Sequence, residues 1–183
     1  MVPRVQTFAW RLLRRALPTG KRVGRLSVHI KEECARCGTI EDDMHLLFLC
    51  PFSKAAWFSH PWYFRSEVCA ATHHSIPDMI NAILSSGHSF ASLENVYTFM
   101  WCLWKARNDT LFSRKVHKPS QVFAATQAIL RGAKLDDQAQ GSLVPICNQE
   151  HQKHNPELTS SLQDMQIIQD ATVASRNYNR LYL

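Results

Sequence analysis

With 183 residues and 45% hydrophobic content, the chain can bury a core of its own. No apolar run approaches the roughly eighteen residues that a spanning helix needs, which excludes a transmembrane helix and a membrane partner. The formal charge of +6 points toward polyanions. An N-terminus with arginines in place of an apolar leader implies an intracellular, reducing compartment, where six cysteines favour metal over disulfides.

Val5, Phe8, Ala9, Leu12, Leu13, Ala16 and Leu17 follow the helical repeat, so the first element is an amphipathic α-helix. Arg4, Arg11, Arg14 and Arg15 fall on another side of the same wheel, within roughly 100°. Pro18-Thr19-Gly20 stops this helix. Thr19 is a fitting N-cap for a short second helix from Lys21 to Leu26, which carries Lys21, Arg22 and Arg25. Residues 1–31 contain no acid, whereas Glu32, Glu33, Glu41, Asp42 and Asp43 crowd the next twelve.

Cys34 and Cys37, then His45 and Cys50, read Cys-x2-Cys-x7-His-x4-Cys. Two close pairs of soft ligands in one short window have the spacing of a tetrahedral zinc site. Four protein ligands leave no position for a reactive water, so one structural Zn2+ is expected and zinc catalysis is not. Cys69, Cys102 and Cys147 stand apart and read as small buried hydrophobes.

Acids at 41–43 suit a helix N-terminus, and Met44 to Leu49 continues as an apolar turn bearing His45. Pro51 starts a helix to about Phe58, and Phe48, Phe52, Trp57 and Phe58 supply the core that a zinc module needs. A less regular linker contains His73 and His74, which lack ligand partners and read as surface residues. Ser75 caps a helix with Ile76, Met79, Ile80, Ile83 and Leu84 on its stripe, ended by Gly87. The longest helix is expected from about Ser89 to Arg114, with Leu93, Val96, Tyr97, Met100, Trp101, Trp104, Leu111 and Phe112 on its stripe. Within it, Arg107 and Asn108 read as a polar pair that satisfies a buried contact. Pro119 opens a last helix through Ala133. Beyond it the polar composition predicts a mobile segment with a weak helix around 158–175.

Pro3-Arg4-Val5, Phe8, Trp10-Arg11, Leu17-Pro18-Thr19, the four ligand positions and Cys50-Pro51-Phe52 up to Trp57 resemble the zinc-binding domain of plant reverse-transcriptase polyproteins from non-long-terminal-repeat retrotransposons. Trp101-x-x-Trp104-Lys105-Ala106-Arg107-Asn108 and Leu111-Phe112 resemble the helical segment that follows it in that family. The family's metal pattern falls on Cys34, Cys37, His45 and Cys50. No polymerase or ribonuclease H motif accompanies them, which implies a truncated, non-enzymatic piece of the polyprotein that resides in the nucleus or cytoplasm.

The expected fold is mostly α, with a small zinc module between helices: a zinc-binding domain over 1–60, a helical segment over 61–135, and a low-order tail over 136–183. The expected function is sequence-independent binding of RNA or DNA, with Arg11, Arg14, Arg15, Lys21, Arg22 and Arg25 meeting phosphates. A protein-interaction module or inactive relic is the alternative, with another protein as the partner. A hydrolase is disfavoured, because no Ser, Cys or His sits in a nucleophile motif.

Overall fold

The computed structural model describes residues 1–26, 29, 31–88 and 91–141, and for 134–141 the backbone alone. The tail expected to be mobile, its weak helix and Cys147 lie outside the described residues. Seven α-helices and one π-helical turn make up the described fold: α1 Pro3–Leu13, α2 Gly20–Gly24, the π-turn His45–Leu49, α3 Pro51–Phe58, α4 Ser66–Cys69, α5 Ile76–Leu84, α6 Leu93–Ser113 and α7 Ser120–Gly141. The protein is mostly helical, and no strand occurs among the described residues; Glu33 and Ile40 form a lone antiparallel bridge.

α1 forms where its stripe requires, and Val5, Phe8, Ala9 and Leu12 are buried. It ends at Leu13, one turn before the last expected stripe residue. Ala16 N–H donates to Arg11 C=O at 2.7 Å and Arg15 N–H to Leu12 C=O at 3.0 Å, closing the C-terminus as a Schellman motif. Arg15 holds the left-handed position of that motif, at φ 53°, where glycine is usual. Leu17, past the turn, is buried even so. Thr19 is the N-cap of α2, without a side-chain cap bond.

α6 is the central helix. It packs against α1, α5, α7 and the π-turn, so residues 96–100 and 102–104 are buried in an unbroken circuit and not on one stripe. The stripe expectation therefore fails at both ends, where Leu93, Leu111 and Phe112 are exposed, and it overlooks Phe99, which is fully buried. Ser92 Oγ accepts Asn95 N–H at 3.2 Å and starts the helix. α7 continues past Ala133 to Gly141 and, at 22 residues against 21, is the longer of the two. Val122, Thr126 and Leu130, four residues apart, form its buried edge.

Trp57 on α3 joins the zinc region to α6. Its ring lies 4.4 Å from Phe99, 5.2 Å from Trp62, 5.6 Å from Phe48 and 5.8 Å from Phe64, centroid to centroid. Of the four aromatics expected in a small zinc core, Phe48 and Trp57 are buried and Phe52 is half-buried, but Phe58 is exposed. α3 turns Ser53, Ala56 and Trp57 inward, and the next residue is rotated roughly 100° toward water.

Candidate metal centre and the basic face beside it

The first ligand pair sits in a tight turn. Gly38 N–H donates to Cys34 C=O at 2.9 Å, and Gly38 itself has φ 75°, which a residue with a Cβ adopts at a cost. Cys34 N–H and Thr39 C=O close the loop at 2.7 Å. Arg36, between the two cysteines, lies 3.6 Å from the Phe52 ring centroid and donates from Nη2 to Ala106 C=O at 2.9 Å and Thr110 Oγ1 at 3.0 Å. The knuckle is thereby fastened to the C-terminal half of α6.

The second pair flanks the π-turn. Cys50 N–H reaches His45 C=O at 2.7 Å, and Asp42 Oδ1 accepts His45 N–H at 2.8 Å, as an acid before a helical turn should. Carbonyls 46, 47 and 48 are left over at the end of this turn. Side chains capture all three: Ser53 Oγ donates to Leu46 C=O at 2.5 Å, Trp57 Nε1 to Leu47 C=O at 2.8 Å and Ser66 Oγ to Phe48 C=O at 2.6 Å. This latch fixes the helical segment that carries His45.

Cys34 Sγ, Cys37 Sγ, a ring nitrogen of His45 and Cys50 Sγ converge, with all ligand atoms within 4.8 Å of one another. Cys34 and Cys50 sulfurs are 3.9 Å apart, and Cys37 Sγ is 3.2 Å from His45 Nε2. A tetrahedral zinc with bonds near 2.0–2.3 Å needs its ligand atoms about 3.5–3.8 Å apart, so the two closest pairs fit with shifts of a few tenths and the widest, at up to 4.8 Å, closes by about 1 Å on metal binding. Cys34, His45 and Cys50 are buried and Cys37 is exposed. The hydrogen bond between the two buried thiols pushes Cys34 up to about 12, with help from burial, and brings Cys50 down to about 7. Both sulfurs must be thiolates to hold a metal, so metal binding here is accompanied by proton release.

Residues 1–57 match the family model described as zinc-binding in reverse transcriptase. The chain carries a reverse transcriptase zinc-binding domain. Its Cys3His cluster is a site for one structural zinc, and among the described residues no second cluster of this kind occurs. No curated protein and no solved structure matches the chain. Among the described residues no helix is long and apolar enough to cross a membrane. His73 Nδ1 lies 2.8 Å from Thr72 Oγ1 and 3.1 Å from Cys69 C=O, in a local turn.

The acids of the zinc-binding domain reach back to α2. Glu41 Oε1 accepts Gly20 N–H at 3.0 Å, Glu41 C=O accepts Lys21 N–H at 2.9 Å, Asp42 Oδ2 is 3.7 Å from Lys21 Nζ, and Asp43 takes Arg22 in a two-point pair at 2.9 and 3.2 Å. A Cβ on Gly20 would stand 2.6 Å from Glu32 C=O, so only glycine lets α2 lie this close. The six basic residues thus divide by environment. Lys21 and Arg22 are docked on the zinc loop. Arg15 and Arg25 are exposed and form no ion pair among the described residues. Arg14 lies over the Trp10 ring at 5.9 Å. Arg11 is half-buried on the flank of Arg4, whose guanidinium stands over Trp101 at 5.1 Å. The sequence suggests a helix N-terminus for the acids at 41–43, and their pairing with α2 at a separation of 21 residues leaves no local pattern.

Proposed function

We propose that this reverse transcriptase zinc-binding domain is a non-catalytic nucleic-acid-binding module of the plant non-long-terminal-repeat type, acting in the nucleus or cytoplasm. Phosphates meet Arg11, Arg14, Arg15, Lys21, Arg22 and Arg25 without base specificity. The observation that supports this reading is that Arg15 and Arg25 stay exposed, with no ion pair among the described residues, on either side of an α2 docked onto the metal loop through Glu41, Asp42 and Asp43. In that arrangement zinc does no chemistry; it holds positive charge in a fixed place. Four protein ligands support the absence of a hydrolytic role.

The test is affinity for a 20-mer across a salt series. Binding should weaken steeply with salt, and Arg11→Ala/Arg14→Ala/Arg15→Ala should flatten the logarithmic slope by about 0.7–0.9 per lost phosphate contact. A triple variant with the wild-type slope would sink the reading. Exposed Phe58, Tyr63 and Val68 favour the second reading, a protein-interaction module. Salt-insensitive self-association in size exclusion, unchanged by nucleic acid, would favour it over the first.

A further inference from the structure

Five tryptophans occur in the chain, and their burial sets one apart. Trp57 and Trp62 are fully buried, Trp104 is buried and Trp101 is half-buried, but Trp10 is 49% exposed on α1. Leu13, one turn further along the same flank, is 53% exposed. Trp10 and Leu13 thus make a small apolar ledge with an indole at its edge.

Leu13 is also the rim of a cleft of about 740 Å³, walled by Arg15, Lys21, Arg22 and Arg25 against Asp42 and Asp43. Asp43 is held by Arg22, and Asp42 by His45 N–H with Lys21 alongside. Four cations against two occupied acids leave a formal +2, concentrated on Arg15 and Arg25. Arg15 also holds a left-handed backbone position at the end of α1 that suits glycine, as Tyr63 and Arg114 do elsewhere in the chain.

We propose that this cleft and the Trp10 ledge form a binding site for single-stranded nucleic acid, with a phosphate seated between Arg15 and Arg25 and an adjoining base stacked on Trp10. The inference rests on the nucleic-acid reading above and narrows it. A duplex keeps its bases stacked inside and offers an indole nothing, whereas a single strand presents a π-face at every nucleotide. Arg14 over the indole supplies a cation beside the stacked base. A cleft of this volume is on the scale that holds a small polar group such as a phosphate.

The experiment compares fluorescence anisotropy of an oligo(dT) 20-mer, an oligo(U) 20-mer and a 20-bp duplex on zinc-loaded full chain. Wild type, Trp10→Ala, Trp10→Phe and Arg15→Ala/Arg25→Ala are measured across salt, with zinc content checked for each. Trp10→Ala should weaken both single strands about 5- to 150-fold with the salt slope unchanged, and Trp10→Phe should recover most of it. Arg15→Ala/Arg25→Ala, which removes one phosphate contact, should reduce the single-strand slope by about 0.7. Salt-dependent binding of duplex and single strand alike, indifferent to Trp10, would overturn the single-strand site and leave the phosphate-binding reading standing. No binding to any of the three would overturn both.

Discussion

Glu41, in the metal loop, and Arg107, on α6, form a two-point carboxylate–guanidinium pair across 66 residues of sequence. The carboxylate is 2% exposed and the guanidinium side chain 13%. Arg107 also lies over Trp104 at 5.2 Å and donates to Asn108 Oδ1 at 3.0 Å. Since Glu41 also receives Gly20 N–H, one side chain joins α2, the zinc loop and the central helix. Removing the cation strands a buried negative charge. Arg107→Leu should cost about 3–5 kcal/mol in urea unfolding of the zinc-loaded protein. Glu41→Leu/Arg107→Leu should cost less than Arg107→Leu alone, with Gly20 N–H left unpaired at about 1–3 kcal/mol. A double variant worse than the single would mean the pair is a net stabiliser and not a matched set of burial costs.

Gly20→Ala should push α2 off the metal loop, because the added methyl meets the backbone carbonyl of Glu32 and not a side chain that could swing away. A loss of about 1–3 kcal/mol is expected, with weaker zinc retention in competition against a chromophoric chelator. Retention equal to wild type would show that α2 docking and metal binding are independent.

Arg15→Gly relieves a left-handed arginine, so thermal or urea unfolding should show a gain of about 0.5–1 kcal/mol. Affinity for single strands should fall at the same time. Stability gained at the expense of binding is the mark of a residue retained for its charge; a variant that gains stability and keeps full affinity would deny Arg15 a role in the cleft.

Zinc removal should act locally before it acts globally. Elemental analysis should find one zinc per chain, lost in Cys34→Ser. Chelation withdraws a stabilisation that reaches about 10–16 kcal/mol in isolated finger peptides. The Lys21 amide, bonded to Glu41 C=O, should lose hydrogen-exchange protection on chelation while amides at the centre of α6 keep theirs longer. Simultaneous loss at both places would mean that the metal holds the whole described fold.

The elements that could be read from the sequence are those whose cause is local. Four metal ligands fall within seventeen residues, α3 begins at its proline, and Ser75 accepts Asp78 N–H at the start of α5 at 3.3 Å. Arg107 was legible as a polar residue with a buried partner, but nothing in the sequence named Glu41. Phe99 was passed over because a helix packed on several sides has no single stripe, and Phe58 was misplaced because an eight-residue helix turns only part of its surface inward. The captured carbonyls of the π-turn depend on Ser53, Trp57 and Ser66 meeting one backbone segment from different distances along the chain. No periodicity records that.

The family match stops at residue 57, and Trp57 is the centre of the aromatic cluster. Three of the rings around it, Trp62, Phe64 and Phe99, come from beyond that boundary. The stretch that the family model describes is therefore smaller than the packed unit that surrounds Trp57. Expressed alone, residues 1–57 would present the face of an indole to solvent where three rings should lie, and the segment should aggregate even with its zinc in place. Any transfer of this module to a new chain would have to bring α6 with it.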